Sequence, residues 1–106
     1  MFGFLGDTGT SRKLNEDYVG AYEDDLKKIY VVADGMGGHN AGEIASKIAV
    51  DSTLDYIKDL KEFQNLENIL CKAIKTANIN IYNKAKEDSS MSGMGTTITA
   101  CLVVKD

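Results

Sequence analysis

Two short stretches of this chain concentrate residues able to do chemistry. One reads Arg12-Lys13-Leu14-Asn15-Glu16-Asp17, and the other Asp34-Gly35-Met36-Gly37-Gly38-His39-Asn40-Ala41-Gly42-Glu43. Asp34 closes the apolar run Ile29-Tyr30-Val31-Val32-Ala33. An acid at the end of a buried strand is costly unless something pairs with it. Mg²⁺ or Mn²⁺ suits it, because hard cations take carboxylate, carbonyl and water oxygens. The competing reading is that Asp34 caps the turn or the coming helix. The glycines that follow let main chain approach a ligand closely.

Glu16 and Asp17 form a second acidic cluster. They precede a strand candidate, Tyr18–Tyr22, which the turn Glu23-Asp24-Asp25 connects to a third, Leu26–Ala33. In an antiparallel hairpin the start of one strand neighbours the end of the other. The topology therefore brings Glu16 and Asp17 to Asp34, where three carboxylates repel one another unless a cation intervenes. Arg12 has a planar fork that suits a phosphate; a salt bridge to Glu16 or Asp17 would employ it equally well. His39, the only histidine, can donate a proton to a leaving group near neutral pH or serve as an ordinary loop residue.

Direct phosphate binding by the glycine loop does not fit. A P-loop needs Lys where this chain has Glu43, and the dinucleotide fingerprint fails at Asn40. Asp34 would also repel a bare phosphate, so this loop meets phosphate through a metal or not at all. A nucleotide-binding domain is disfavoured on these grounds.

The elements that must position these residues follow from patterning. Phe2–Leu5 reads as an edge strand, and the continuous apolar run of the third strand predicts cover on both faces. A helix begins near Ala41 and extends to about Leu60, with Ile44, Ala45, Ile48, Ala49, Ser52 and Tyr56 at helical spacing. Asn65 can cap a second helix, whose stripe Leu66, Ile69, Leu70, Ala73, Ile74, Ala77 and Ile81 runs through about Ala85. Thr96–Val104 is rich in β-branched residues and reads as a fourth strand.

The 106 residues make one small domain or part of a larger one, and 43% hydrophobic with 26% charged is a globular balance. A net charge of −4 argues against a grip on nucleic acid or on an anionic membrane. Cys71 and Cys101 have no metal or redox spacing and read as small core residues. No apolar run reaches the length of a membrane span and no signal-peptide pattern opens the chain, so a cytoplasmic location is the expectation.

With these residues in place, the chain resembles the N-terminal part of a bacterial PP2C-type (PPM family) metal-dependent serine/threonine phosphatase. Arg12-x-x-Asn15-Glu16-Asp17 resembles its first motif, Val32 to Ser46 its second, and Gly95-Thr96-Thr97 before an apolar strand a third. The resemblance covers essentially the whole chain. It implies an α+β fold, part of an α-β-β-α layered sandwich with mostly antiparallel strands and two long helices on one face. It also implies two Mg²⁺ or Mn²⁺ ions at one end. Asp34 would bridge the metals, the Gly35 carbonyl would bind one, Glu16 and Asp17 would act directly or through waters, and Arg12 would hold the substrate phosphate. A water of lowered pKa would then attack phosphorus in line and release Ser or Thr.

Two departures stand out. Met36 occupies a position where eukaryotic members often carry a His proposed as general acid, leaving His39 a weak substitute. The later aspartates that complete the family's metal site are not in this sequence, so residues 1–106 are expected to be an N-terminal portion with little activity alone. The implied partners are phosphorylated proteins and a cognate Ser/Thr kinase pathway. The alternative is a non-catalytic module that binds a partner or self-associates through its truncated sheet edge.

Overall fold

A computed structural model describes residues 2–6, 17–37, 41–88 and 93–105, the first group as backbone only. The hairpin expected from the two central apolar runs forms. Strand β2 (Asp17–Glu23) pairs antiparallel with β3 (Lys27–Met36). Asp24 makes the turn between them: its Oδ1 accepts from the Leu26 amide at 2.8 Å and the Lys27 amide at 3.0 Å. An Asx turn of this kind supplies by side chain what a tight turn leaves unpaired. The other strands are β1 (Phe2–Gly6) and β4 (Gly95–Val104), and the antiparallel sheet runs β1-β4-β3-β2.

Both helices, α1 (Ala41–Lys58) and α2 (Leu66–Glu87), close within three residues of the ends that patterning predicts. Asn65 caps α2, its side chain accepting from the Asn68 amide at 3.0 Å. The amphipathic stripe of α2 is as read: Leu66, Leu70, Ala73, Ala77 and Ile81 are buried. That of α1 is rotated. Its buried face is Ala41, Gly42, Ala45, Ser46, Ala49, Val50, Thr53 and Ile57, while Ile44 and Ile48 are half-buried. Small side chains let the helix backbone lie close to the sheet, and the larger isoleucines then fall to the flanks. At Gly20 of β2 an added Cβ would stand 2.6 Å from Val50 Cγ1 and 2.8 Å from Leu54 Cδ1, so α1 crosses β2 with no room to spare.

The third strand departs from its expected two-sided cover. Residues 27, 29, 31, 33 and 35 are buried against the core, whereas Tyr30 and Val32 are 45% and 47% exposed. The helices lie on one face, as expected, and among the described residues nothing covers the other. It carries Val19, Ala21, Tyr30, Val32, Thr99 and Cys101 in cross-strand rows. The apolar run reflects that open face as much as the core.

The other surprise is Lys27. It is 1% exposed while its neighbour Leu26 is 41% exposed, the reverse of their hydrophobicity. Its ammonium donates to Asp24 Oδ2 at 2.9 Å and to the Leu60 carbonyl at 2.8 Å, and lies over the Tyr22 and Phe63 rings. This pins the hairpin turn to the segment that leaves α1. The same ammonium, with the Leu26 and Lys27 amides, holds the Asp24 carboxyl well below its ordinary value of 3.8. A depressed carboxyl pKa contributes stability above the unfolded value and loses it as pH falls below. The stability gap between the wild type and Asp24→Asn is therefore expected to be full at neutral pH and to narrow between about pH 4 and pH 2. Urea titrations that fall in parallel for both proteins over that range would refute this. Among the described residues no helix is long and apolar enough to cross a membrane.

Candidate metal site

Strand β3 does not stop at Ala33. Strand β4 pairs along it through Met36↔Gly95, so Asp34 and Gly35 belong to the ladder and not to a loop beyond it. The reason lies in β4, whose residues Gly95, Thr96 and Thr97 supply partners for Met36, Gly35 and Asp34. Asp34 thus has a strand on each side. Its register partners are Asp17 on β2 and Thr97 on β4.

Side chains directly opposite in antiparallel strands share a face and approach to about 5 Å between Cβ atoms. The row Asp17–Asp34–Thr97 lies on the open face, away from the helices, with Asp34 half-buried and Asp17 exposed. Two carboxylates in such a pair destabilise a sheet unless a positive charge or hydrogen bonds compensate. A divalent cation is such a compensation, and the donors available are hard oxygens of the kind Mg²⁺ and Mn²⁺ prefer. The residues present fit a metal in this respect. They are a pair and not a complete set: among the described residues no three His, Cys, Asp or Glu side chains converge.

Gly35 faces the other way, into the core, and is buried. A Cβ there would overlap the Gly42 carbonyl oxygen and stand 3.0 Å from Gly42 Cα. Gly37 has φ +143°, a region that L side chains rarely adopt, and its Cβ would meet Ala41 Cβ at 2.9 Å and Met94 Cα at 3.3 Å. These glycines serve a backbone-to-backbone junction of β3, α1 and the approach to β4.

Of the residues read as functional from sequence, the structure brings Asp17 and Asp34 together and sets Gly35 beside them. Arg12, Glu16 and His39 lie outside the described residues. Sequence places Thr97 in a motif and in the fourth strand; its register beside Asp34 comes from the structure. The signal that would have found it was β-sheet pairing with β3, which a polar motif cannot report by itself. Met36 is 56% exposed and shares the open face with Asp34, two residues along the strand.

The chain is similar to known proteins over most of its length. The family model for Protein phosphatase 2C matches residues 9–106. The serine/threonine phosphatase Stp of Listeria welshimeri is 40% identical over 106 residues, covering 96% of this chain and 42% of the relative. The crystal structure of Stp1 from Staphylococcus aureus superposes with a TM-score of 0.75 at 37% identity, covering 96% of this chain and 41% of that one. The catalytic domain of the phosphatase PstP, solved with two manganese ions, superposes with a TM-score of 0.67 at 33% identity, covering 94% of this chain and 41% of that one. The chain belongs to the protein phosphatase 2C family. It spans about two-fifths of the length of the curated relative from Listeria.

Proposed function

We propose that this chain supplies one part of the active site of a metal-dependent phosphatase that acts on phosphoserine and phosphothreonine in proteins. The observation that carries the reading is the row Asp17–Asp34, in register on one face, next to the buried Gly35 junction. In this reading Asp34, Asp17, Glu16 and the Gly35 carbonyl hold Mg²⁺ or Mn²⁺. When bound, these cations neutralise phosphate charge and lower the pKa of a water for attack on phosphorus. Arg12 orients the phosphate by its fork, and His39 is the weak candidate for protonating the leaving oxygen. Phosphorylated proteins, and with them a Ser/Thr kinase that makes them, are the partners this chemistry requires.

The test is a chimera in which this segment replaces the matching segment of Listeria Stp. It is expected to hydrolyse p-nitrophenyl phosphate and a phosphothreonine peptide in Mn²⁺, and to stop in excess EDTA. The 106-residue chain alone is expected to turn over little, because the described carboxylates form a pair and not a full set. A chimera that shows native circular dichroism yet no Mn²⁺-dependent hydrolysis would refute the assignment.

One observation favours a second reading, a self-associating module. Val19 on edge strand β2 is 67% exposed, beside Val32 and Tyr30 on the open face. Exposed apolar edges recruit other strands. Light scattering decides: a concentration-dependent dimer would support this reading, and a monodisperse monomer at millimolar concentration would remove it.

A further inference from the structure

We propose that the first turn of α1, through the main-chain carbonyl of Gly42, is a positioning element for the metal site, acting through Gly35; the idea rests on the metal reading above. Gly42 is the second residue of α1 and buried. The packing is explicit. The direction in which Gly35 would carry a Cβ runs into the Gly42 carbonyl, so a Cα hydrogen of Gly35 points at that oxygen. Contacts of this kind bring two backbones together with no side chain between them.

Gly37 adds a second point of contact on the same helical turn. Its Cβ position lies 2.9 Å from Ala41 Cβ and 3.3 Å from both the Gly42 nitrogen and Met94 Cα. Ser46, fully buried, donates its hydroxyl to the Glu43 carbonyl at 3.0 Å and secures the same turn from above. The first turn of α1 therefore presses on β3 at residues 35 and 37. In a strand the direction of each side chain follows from the main chain on either side of it. Fixing Gly35 from the helix side fixes where Asp34 projects on the opposite side, and where the Gly35 carbonyl points. Rigid support from a helix is how a site holds its ligands within the narrow range a metal demands. The consequence is that α1 and the metal site respond as one body.

The experiment uses the Stp chimera, with this segment's sequence as the wild type, and Mn²⁺ and Mg²⁺ as probes. Mn²⁺ binding is followed by the electron paramagnetic resonance signal of the free ion, and Mg²⁺ effects by amide hydrogen exchange. In the wild type, saturating Mg²⁺ is expected to slow exchange at residues 42–46 at least about threefold. Gly35→Ala, which forces the junction apart, is expected to weaken Mn²⁺ binding about tenfold or more while far-UV circular dichroism stays native. A merely structural role for the glycine would lower the melting temperature and leave Mn²⁺ affinity of the folded protein unchanged, which overturns the proposal. Metal binding with no slowing in the first turn of α1 overturns it as well, and this wild-type measurement decides the matter should Gly35→Ala not fold. Asp34→Asn separates the two levels: if it binds Mn²⁺ as the wild type does, or if the wild type binds none, the metal reading fails and the positioning role fails with it.

Discussion

Asp34→Asn in the Stp chimera is expected to reduce Mn²⁺-dependent turnover by about 100-fold or more, at unchanged or higher thermal stability without metal. The exchange is nearly isosteric, so it opens no cavity. What it removes is a negative charge that sits half-buried between two strands, opposite Asp17 on one side and Thr97 on the other. Replacing groups that merely support metal ligands costs about 10–100-fold, and loss of a central ligand belongs at or beyond the upper end of that range. Asp17 stands on the edge strand and is exposed, where water can substitute for it. Asp17→Asn is accordingly expected to cost only about tenfold. The stability half of the prediction has the opposite sign: separating like charges across a strand pair does not destabilise it. The Mn²⁺-induced rise in melting temperature should disappear in Asp34→Asn. Equal losses of activity in the two variants, or a retained Mn²⁺ shift in Asp34→Asn, would show that Asp34 is not the centre of the site.

That ordering of Asp34 over Asp17 is not visible in the sequence, although their meeting is. Hairpin logic needs only two apolar runs and a short acidic turn, and it places the two acids side by side because antiparallel register is set by the turn. The helix limits were legible for a similar reason. Asn65 is a local capping signal, and the α2 stripe is long and regular. Lys27 was not legible, because a lysine is buried only when specific partners come to it, and the Leu60 carbonyl comes from 33 residues away. The rotated face of α1 was missed because isoleucines outweigh alanine and glycine in any reading by hydrophobicity. Close backbone packing at Gly35 instead selects the small residues at the start of the helix. The extension of β3 to Met36 depended on β4, a partner some sixty positions downstream, which no local window contains.

Leu70→Ala tests how this half-covered sheet holds its second helix. Strand β3 is covered by α1, whereas α2 reaches the sheet at β1 and β4 and otherwise rests on α1. Its anchorage is a single stripe, with Leu70 fully buried near the start and Ile81 6% exposed toward the end. Polar support is thin by comparison: the Asn80 amide donates to the Ser52 hydroxyl at 2.8 Å in an exposed position. Removing the Leu70 side chain forfeits its transfer energy and leaves a cavity in the buried core. The expected cost is about 3 kcal/mol, within the range of about 2–5 for buried leucines. In a domain of this size that lowers the melting temperature by roughly 10–20 °C. Ile79, on the same helix but 58% exposed, provides the control, and Ile79→Ala should change stability by less than about 0.5 kcal/mol. The loss should also be uneven. Because α1 holds β3 independently, amides of α2 should lose hydrogen-exchange protection in Leu70→Ala before those of β3 do. Simultaneous loss in both elements would mean that the second helix is not a separable layer, and that its packing reaches the strand carrying Asp34.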